Sequence, residues 1–383
     1  MAEREKHARP YLYEGDLLRL LLIIGVVLTH TETTLTNATA TGSVSHLIFN
    51  STHTMLHFTR MGFVFVTGLV LTWQYFDRHP NWVTFWYRRY VRIGIPYLVW
   101  NTVLLAGLLA IHQRLTWTRY AQRWLTTISH GNQFYMYFLF MIAQLYLIFP
   151  ILLWIVEKTR DHHRWLIGVS FGLQLLLTAV IKYGHPTTAA HPVLGLIFHH
   201  YGTDPLMYQL YFVMGAVTAV HYQRISHWLK VHLKALSWLA VGLSVATIGL
   251  YWVNINVLGF ANHDAQSIHQ PFVVLLDVAA IMALLGVSQW GLRRSWVTIP
   301  IVHRLGQLTF GIYLTQSIFL TALAGLLRLT AWPSWVYLVI VPLCFVAVFG
   351  TILIWSYGLS RLKWTRPIIG LKLDSENKMI KSY

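Results

Sequence analysis

The chain has 383 residues, of which 56% are hydrophobic and 11% are charged, and its mean hydropathy is +0.51. This composition excludes a soluble globular protein and is typical of a polytopic membrane protein. The formal net charge is +16, but the cations lie in short clusters between apolar segments, which argues against a nucleic-acid-binding protein. Because Cys344 is the single cysteine, a disulfide framework within one chain is also excluded.

Apolar segments long enough to cross a hydrocarbon core of about 30 Å recur along the whole chain. They predict ten spans, at residues 17–36, 58–76, 91–111, 134–156, 165–182, 206–222, 236–254, 271–290, 308–328 and 335–357. We therefore expect an all-α polytopic membrane protein with a single transmembrane domain. The predicted boundaries are a tail at 1–16, the membrane domain at 17–357 and a polar tail at 358–383.

Basic residues are distributed unevenly between the two predicted sides of the membrane. Of the 29 Lys and Arg, all but six precede or begin span 1, follow span 10, or lie in or at the edge of alternate loops. The exceptions are Arg60, Arg114, Arg119, Arg123, Lys182 and Arg328. Since cytoplasmic loops are enriched in Lys and Arg, both termini are predicted to be cytoplasmic. The same cations favour contact with anionic membrane lipids.

The first span contains two ionisable residues, Arg19 and His30, eleven residues apart in DLLRLLLIIGVVLTH. Eleven residues are about three helical turns, so both side chains project from one face, separated by roughly 16 Å along the axis. Ionisable residues at membrane depth are costly and are candidates for function. His30 is the best candidate for a general base. The alternative is a structural histidine that bonds a neighbouring helix.

A base histidine requires a partner that orients its second ring nitrogen. Glu32 and Asp277 are the two acids at membrane depth. Asp277 lies at a depth comparable to that of His30, so we expect it to be the partner. The alternative is that both acids pair with Arg60, Lys182 or another polar group in a structural network.

The third span opens with a basic cluster, RRYVRIGIPYLVW, that contains Arg88, Arg89 and Arg92. Arg89 and Arg92 are three residues apart and therefore neighbours on one helix face. Guanidinium groups suit phosphate oxygens, including those of coenzyme A. The alternative is a cluster that contacts lipid headgroups. The sequence has no P-loop, dinucleotide fingerprint or H-E-x-x-H zinc motif, so no metal site is predicted.

Together, the Arg-x10-His pattern of span 1 and the Arg-x-x-Arg pattern of span 3 resemble the acyltransferase-3 family of integral membrane acyltransferases. The segments FTRMGFVFVTGLVLTW and LTFGIYLTQSIF are also similar to segments of that family. Within it, the chain most resembles the intercellular adhesion protein C type of poly-N-acetylglucosamine biofilm operons. The shared features are its size, its ten spans without an appended domain, and a C-terminal R-x-I-I-G.

The resemblance implies transfer of an acetyl or succinyl group from cytoplasmic acyl-CoA to a hydroxyl of an extracytoplasmic polysaccharide or lipid-linked sugar. It implies catalytic roles for His30 and Arg19, and coenzyme A binding by Arg89 and Arg92. Acyl-CoA is then a co-substrate, and no permanently bound cofactor is expected. The expected setting is a bacterial plasma membrane, in contact with polysaccharide synthesis proteins.

Four further residues are expected to bind substrate: Glu32, Arg60, Tyr313 and Gln316. At the position of Gln316 the family often has His, so a hydrogen-bonding role is retained there and a proton-transfer role is not.

Two other classes of function stay open at the level of sequence. The first is an exporter or flippase of a cell-surface polysaccharide, in which His30 and Asp277 line the transport pathway. No clear pair of Gly- or Pro-broken helices marks such a site. The second is a structural partner in a polymer-synthesis complex.

Overall fold

The structure, a computed structural model, describes residues 9–78, 80–114, 116–131, 133–184, 201–295 and 297–372. All regular secondary structure in these ranges is helical, and they contain no strand. Nine of the described helical segments are long and apolar enough to cross a membrane. The prediction of an all-α polytopic membrane protein is therefore confirmed.

The helices of nine residues or more in the described ranges are numbered here in chain order. They are α1 (Tyr13–Thr36), α2 (Val44–Thr52), α3 (Phe58–Tyr75), α4 (Trp82–Ile111), α5 (Trp117–His130), α6 (Tyr137–Lys158), α7 (His163–Ala179), α8 (Gln209–Val220), α9 (Tyr222–Asn256), α10 (Pro271–Arg293), α11 (Ile299–Leu327) and α12 (Val341–Arg361).

The predicted span at 206–222 is a helical segment, Pro205–Val220, that is shorter than the other nine. Its course is fixed by contacts with α3 at both ends. Tyr208 lies beside Arg60 near the start of α3. Tyr222, two residues beyond the segment, packs on Trp73 near the end of α3, with ring centroids 5.1 Å apart. The short segment therefore runs parallel to α3 over nearly the same depth of the bundle.

Helix α1 lies against α3 and α11 and sets the two ends of the bundle. Gly62 of α3 faces Leu22, and Thr59 faces Gly25, so α1 and α3 run antiparallel. We call the end at which α1 begins the Arg19 end and the opposite end the His30 end. Because α1 is one continuous helix, it fixes the axial separation of these two residues.

Helices α3 and α8 approach so closely that glycines form the contact. A Cβ added at Gly215 would lie 2.1 Å from the carbonyl oxygen of Phe65, and one at Gly68 would lie 2.3 Å from that of Phe212. Small residues allow membrane helices to pack backbone to backbone, where van der Waals contact drives association. This contact holds the Arg60 helix beside the Tyr208 segment.

We expect Gly215→Ala to destabilise the protein by about 1–3 kcal/mol or more, because its methyl group forces two backbones apart. Gly242→Ala is the matched control, since nothing lies within 4 Å of a Cβ at this position of α9. That substitution should be neutral or stabilising by up to about 1 kcal/mol. Thermal unfolding in detergent measures both, and equal melting temperatures would contradict the close packing of α3 and α8.

The segment after α12 packs back onto the bundle. The indole nitrogen of Trp100 in α4 donates to the carbonyl oxygen of Ile368 at 2.8 Å. Gly370 has a φ of 73°, and a Cβ there would lie 2.4 Å from the ring of Phe310 in α11. The R-x-I-I-G motif, residues 366–370, thus links α4 and α11 at the Arg19 end.

Candidate functional site

His30 lies in the last two turns of α1, opposite the short helical turn His53–Leu56 that precedes α3. Its ring stacks on Tyr135, with centroids 3.7 Å apart and an interplanar angle of 23°. The hydroxyl of Tyr313 in α11 donates to the carbonyl oxygen of Tyr135 at 2.5 Å. Tyr313, expected to bind substrate, therefore holds the residue that orients the His30 ring.

A second group of polar side chains, from the turn before α3 and from α3 itself, lies beside His30. The Nε2 atoms of His53 and His57 are 2.9 Å apart, and the guanidinium of Arg60 lies 5.0 Å from the ring centroid of Tyr137. His30, His57 and Arg60 lie deep in the protein, yet each keeps part of its surface free of protein contact. These side chains therefore line an internal cleft.

His269, in the loop before α10, completes this group. Its ring packs edge-on against Tyr201 and Tyr208, with centroids 5.0 and 6.0 Å away. Neither ring nitrogen has a hydrogen-bond partner among the described residues. Burial, with a contribution from Arg60, lowers the pKa of His269 to about 3. The ring is therefore neutral near pH 7, with one donor and one acceptor unused.

The hydrogen bond expected between His30 and Asp277 is absent from the described residues. Oδ2 of Asp277 instead accepts from the hydroxyl of Tyr211 in α8 at 2.5 Å. Depth in the membrane was the basis of the expectation, but depth does not fix the direction in which a side chain points. Asp277 points from α10 towards α8, whereas His30 points from α1 towards Tyr135.

The remaining membrane acid is also bound by a hydroxyl. Oε1 of Glu32 accepts from Thr52 in α2 at 2.7 Å. Lys182, the other cation considered for these acids, donates to the backbone carbonyl of Asp264. Glu32 and Asp277 therefore bond to hydroxyl groups and form no ion pair with Lys182 or Arg60 in the described ranges. Asp277 is nevertheless electrostatically coupled to Arg60.

Gln316 is fully buried in α11, and both of its amide atoms lack a hydrogen-bond partner within the described ranges. It lies one turn from Ile312 and one turn from Leu320, which pack with Val27 of α1. It is also three residues from Tyr313, so it lies on the part of α11 that supports the His30 end. Since buried amides are rarely unsatisfied, Gln316 is a candidate to bond a ligand.

At the opposite end of α1, Arg19 belongs to a polar network around the buried carboxylate of Asp16. Nη1 of Arg19 lies 3.0 Å from Oδ1 of Asp16. Nδ1 of His303 in α11 lies 2.9 Å from Oδ2 of the same carboxylate, and the hydroxyl of Tyr11 donates to Oδ1 at 3.1 Å. Burial and the adjacent Asp16 raise the pKa of Tyr11. Asp16 therefore fixes Arg19 and joins α1 to α11.

The basic cluster of α4 lies beside this network. Nη2 of Arg89 donates to Gln74 at 3.1 Å, and Arg88 is exposed. Arg92 is close enough to Arg89 and Arg19 for electrostatic coupling to both. The ion pairs in the described part of the chain include none of the three α4 arginines. The structure thus brings Arg19 and Arg92, predicted from different spans, to one end of the bundle.

Two shallow cavities, of about 360 and 260 Å³, open between α9 and α10. Both are lined by Lys230 and Arg293, and Nη2 of Arg293 donates to Ser226 at 3.0 Å. They lie near the Arg19 end and do not include His30. This α9–α10 groove is a second basic surface near the Arg19 end, in addition to the α4 cluster.

A family model described as an acyltransferase domain, the acyltransferase-3 model, matches residues 12–360. The chain belongs to the acyltransferase-3 family. The match includes the whole of α1 and α4, and therefore both Arg19 and His30. No curated protein and no solved structure matches the chain.

Sequence reasoning about this membrane acyltransferase missed residues at both ends of α1. At the His30 end these are His53, His57, Tyr135, Tyr208 and His269, and at the Arg19 end Tyr11, Asp16 and His303. Only two signals were available in the sequence. One is the four-residue spacing of His53 and His57, and the other is the three-residue spacing of Asp16 and Arg19, both of which place side chains on one helix face.

Proposed function

We propose that the chain transfers an acetyl or succinyl group from cytoplasmic acyl-CoA to a hydroxyl of an extracytoplasmic polysaccharide or lipid-linked sugar. The observation that carries the proposal is the position of His30 in an internal cleft of an acyltransferase-3 bundle. The same helix carries Arg19 about three turns away, close to Arg92 of α4. A long donor that docks by its charged end can therefore reach His30 along α1.

The donor's phosphates are proposed to bind Arg89 and Arg92, with Arg88 at the edge. Planar guanidinium groups bind phosphate oxygens in a bidentate manner. The absence of ion-pair partners in the described ranges leaves these three cations available to a ligand. The pantetheine arm then passes Arg19, which Asp16 holds in place. Acyl-CoA is the co-substrate, and the proposed reaction requires no bound metal or cofactor.

The proposed chemistry is a general-base acyl transfer at His30. The imidazole takes the proton of the acceptor hydroxyl, and the oxygen attacks the thioester carbonyl carbon. A C–O bond forms, the C–S bond breaks, and coenzyme A leaves as its thiolate. The proton on His30 then passes to that thiolate, so the enzyme returns to its starting state.

The acceptor is proposed to enter at the His30 end. Glu32, bound by Thr52, and the unpartnered amide of Gln316 are proposed to bond sugar hydroxyls. Tyr313 acts on the site through Tyr135, and Asp277 through its electrostatic coupling to Arg60. The proposed location is a bacterial plasma membrane with both termini cytoplasmic, and the proposed partners are membrane lipids and polysaccharide synthesis proteins.

The experiment that tests this function measures thiol release from acetyl-CoA and succinyl-CoA by the purified protein, with a hydroxyl-bearing oligosaccharide present. We expect saturable release that depends on the oligosaccharide, because the acceptor oxygen must displace the thiolate. Equilibrium binding of each thioester is measured in parallel on protein shown to be folded by its melting transition. Failure to bind either thioester would overturn the proposal and favour a polysaccharide exporter.

A further inference from the structure

Arg60 is a guanidinium held inside the bundle without a carboxylate partner in the part of the chain that the structure describes. Its contacts are the hydroxyl of Tyr208 and the ring of Tyr137. The ion pairs in the described ranges do not include it. A charge taken out of water is costly unless an opposite charge and hydrogen bonds compensate it. Among the described residues, no carboxylate is therefore in direct contact with this guanidinium.

One carboxylate oxygen of each neighbouring acid accepts from a hydroxyl group, and neither acid forms an ion pair with Arg60 in the described ranges. Asp277 is electrostatically coupled to Arg60 but bonds to Tyr211, and Glu32 bonds to Thr52. Residues 185–200 lie outside the described ranges, and their sequence contains no Asp or Glu. The titratable groups coupled to Arg60 are otherwise histidines and tyrosines: His30, His53, His57, His269, Tyr137, Tyr208 and Tyr313.

The space next to Arg60 is open to a ligand. Arg60, His30 and His57 each keep part of their surface free of protein contact although they lie deep in the bundle. Because Arg60 is electrostatically coupled to His30, a ligand in this cleft lies near both the guanidinium and the candidate base. A partner anion for Arg60 is therefore best supplied by the molecule on which His30 acts.

We infer that the substrate in the cleft presents a carboxylate that pairs with Arg60, so that Arg60 determines substrate specificity. The inference rests on the proposed acyl transfer. A single guanidinium matches the one negative charge and the two oxygens of a carboxylate in a bidentate pair. The carboxylate belongs either to a dicarboxylic acyl group on the donor or to an acidic sugar of the acceptor.

The test compares probes that differ by one carboxylate in the wild type, Arg60→Gln and Arg60→Lys. One arm uses succinyl-CoA against acetyl-CoA with a neutral chito-oligosaccharide, and the other uses acetyl-CoA with an oligouronate against the neutral oligosaccharide. In the donor arm or in the acceptor arm, the wild type should show a higher kcat/KM for the probe that carries the carboxylate. Arg60→Gln should reduce that preference in kcat/KM on the order of 10- to 100-fold, and Arg60→Lys less, because it keeps the charge and loses the planar fork.

Binding of the same probes separates this inference from the proposed function. Selective binding that Arg60→Gln abolishes, also in a His30→Ala background, supports the carboxylate site even if no turnover is found. That outcome would refute the proposed acyl transfer and would still support a carboxylate site at Arg60. Arg119→Gln, at an exposed position of α5, is the matched control and should keep the preference. Equal losses for neutral and charged probes, or no wild-type preference in either arm, would overturn the inference.

Discussion

His30→Ala is expected to lower acyl transfer by about 10²- to 10⁴-fold, the usual contribution of a positioned general base. The acceptor hydroxyl is a poor nucleophile until its proton is removed, and alanine provides no base. Donor affinity should change little, because the proposed phosphate site lies at the opposite end of α1. The measurement is kcat for thiol release beside the dissociation constant of acyl-CoA, with His30→Gln to preserve a polar side chain of similar size.

The matched control for this substitution is His232→Ala, at an exposed position of α9, which should retain wild-type kcat. A cellular measurement separates the enzyme from the exporter. If the protein esterifies a polymer, a His30→Ala strain should export normal amounts of polymer without the ester. Loss of exported polymer, or turnover in His30→Ala equal to that of the control, would refute the assignment of His30 as the base.

The relation of Arg19 to His30 could be predicted from the sequence because both residues lie in one apolar segment. The structure confirms a single continuous helix, Tyr13–Thr36, through both positions. Helical periodicity is a local property, so spacing along the chain is sufficient to fix axial separation. The basic cluster at the start of span 3 lies in α4 for the same reason.

The orientation of Asp277 could not be predicted in the same way. Its depth follows from its position in α10, but its partner depends on how α8 and α10 rotate against each other. Tyr211 belongs to the segment that packs on α3 through Gly68 and Gly215, a contact between residues far apart in sequence. Hydropathy gives the approximate positions of the spans and their order, and it does not give their rotation about their own axes.

Several residues of the polar group at the His30 end come from short connecting segments. Tyr135 lies in the turn before α6, and His269 lies in the loop before α10. Their sequences carry no periodic pattern, and their paths are fixed by bonds to distant helices, such as the one from Tyr313 to the Tyr135 carbonyl. His30 itself was therefore accessible to sequence reasoning, whereas the residues around it were not.

The Arg89→Gln/Arg92→Gln double variant is expected to weaken acyl-CoA binding on the order of 100-fold or more, because two charge-assisted contacts of about 1.5–3 kcal/mol each are lost. The loss should shrink as salt rises, since partly exposed charges are screened. Turnover at saturating donor should fall much less than in His30→Ala. The measurement is the dissociation constant of acetyl-CoA and succinyl-CoA at two salt concentrations.

Lys230→Gln/Arg293→Gln is the matched control, because it removes the same charge from the α9–α10 groove near the same end of the bundle. If the nucleotide binds at α4, this control should keep wild-type affinity. A loss confined to the groove variant would place the nucleotide between α9 and α10 instead. Equal losses in both variants would mean that the basic end attracts the donor by overall charge, with no defined guanidinium site. The ratio of the two dissociation constants therefore distinguishes a built phosphate site from the overall positive charge of this end of the bundle.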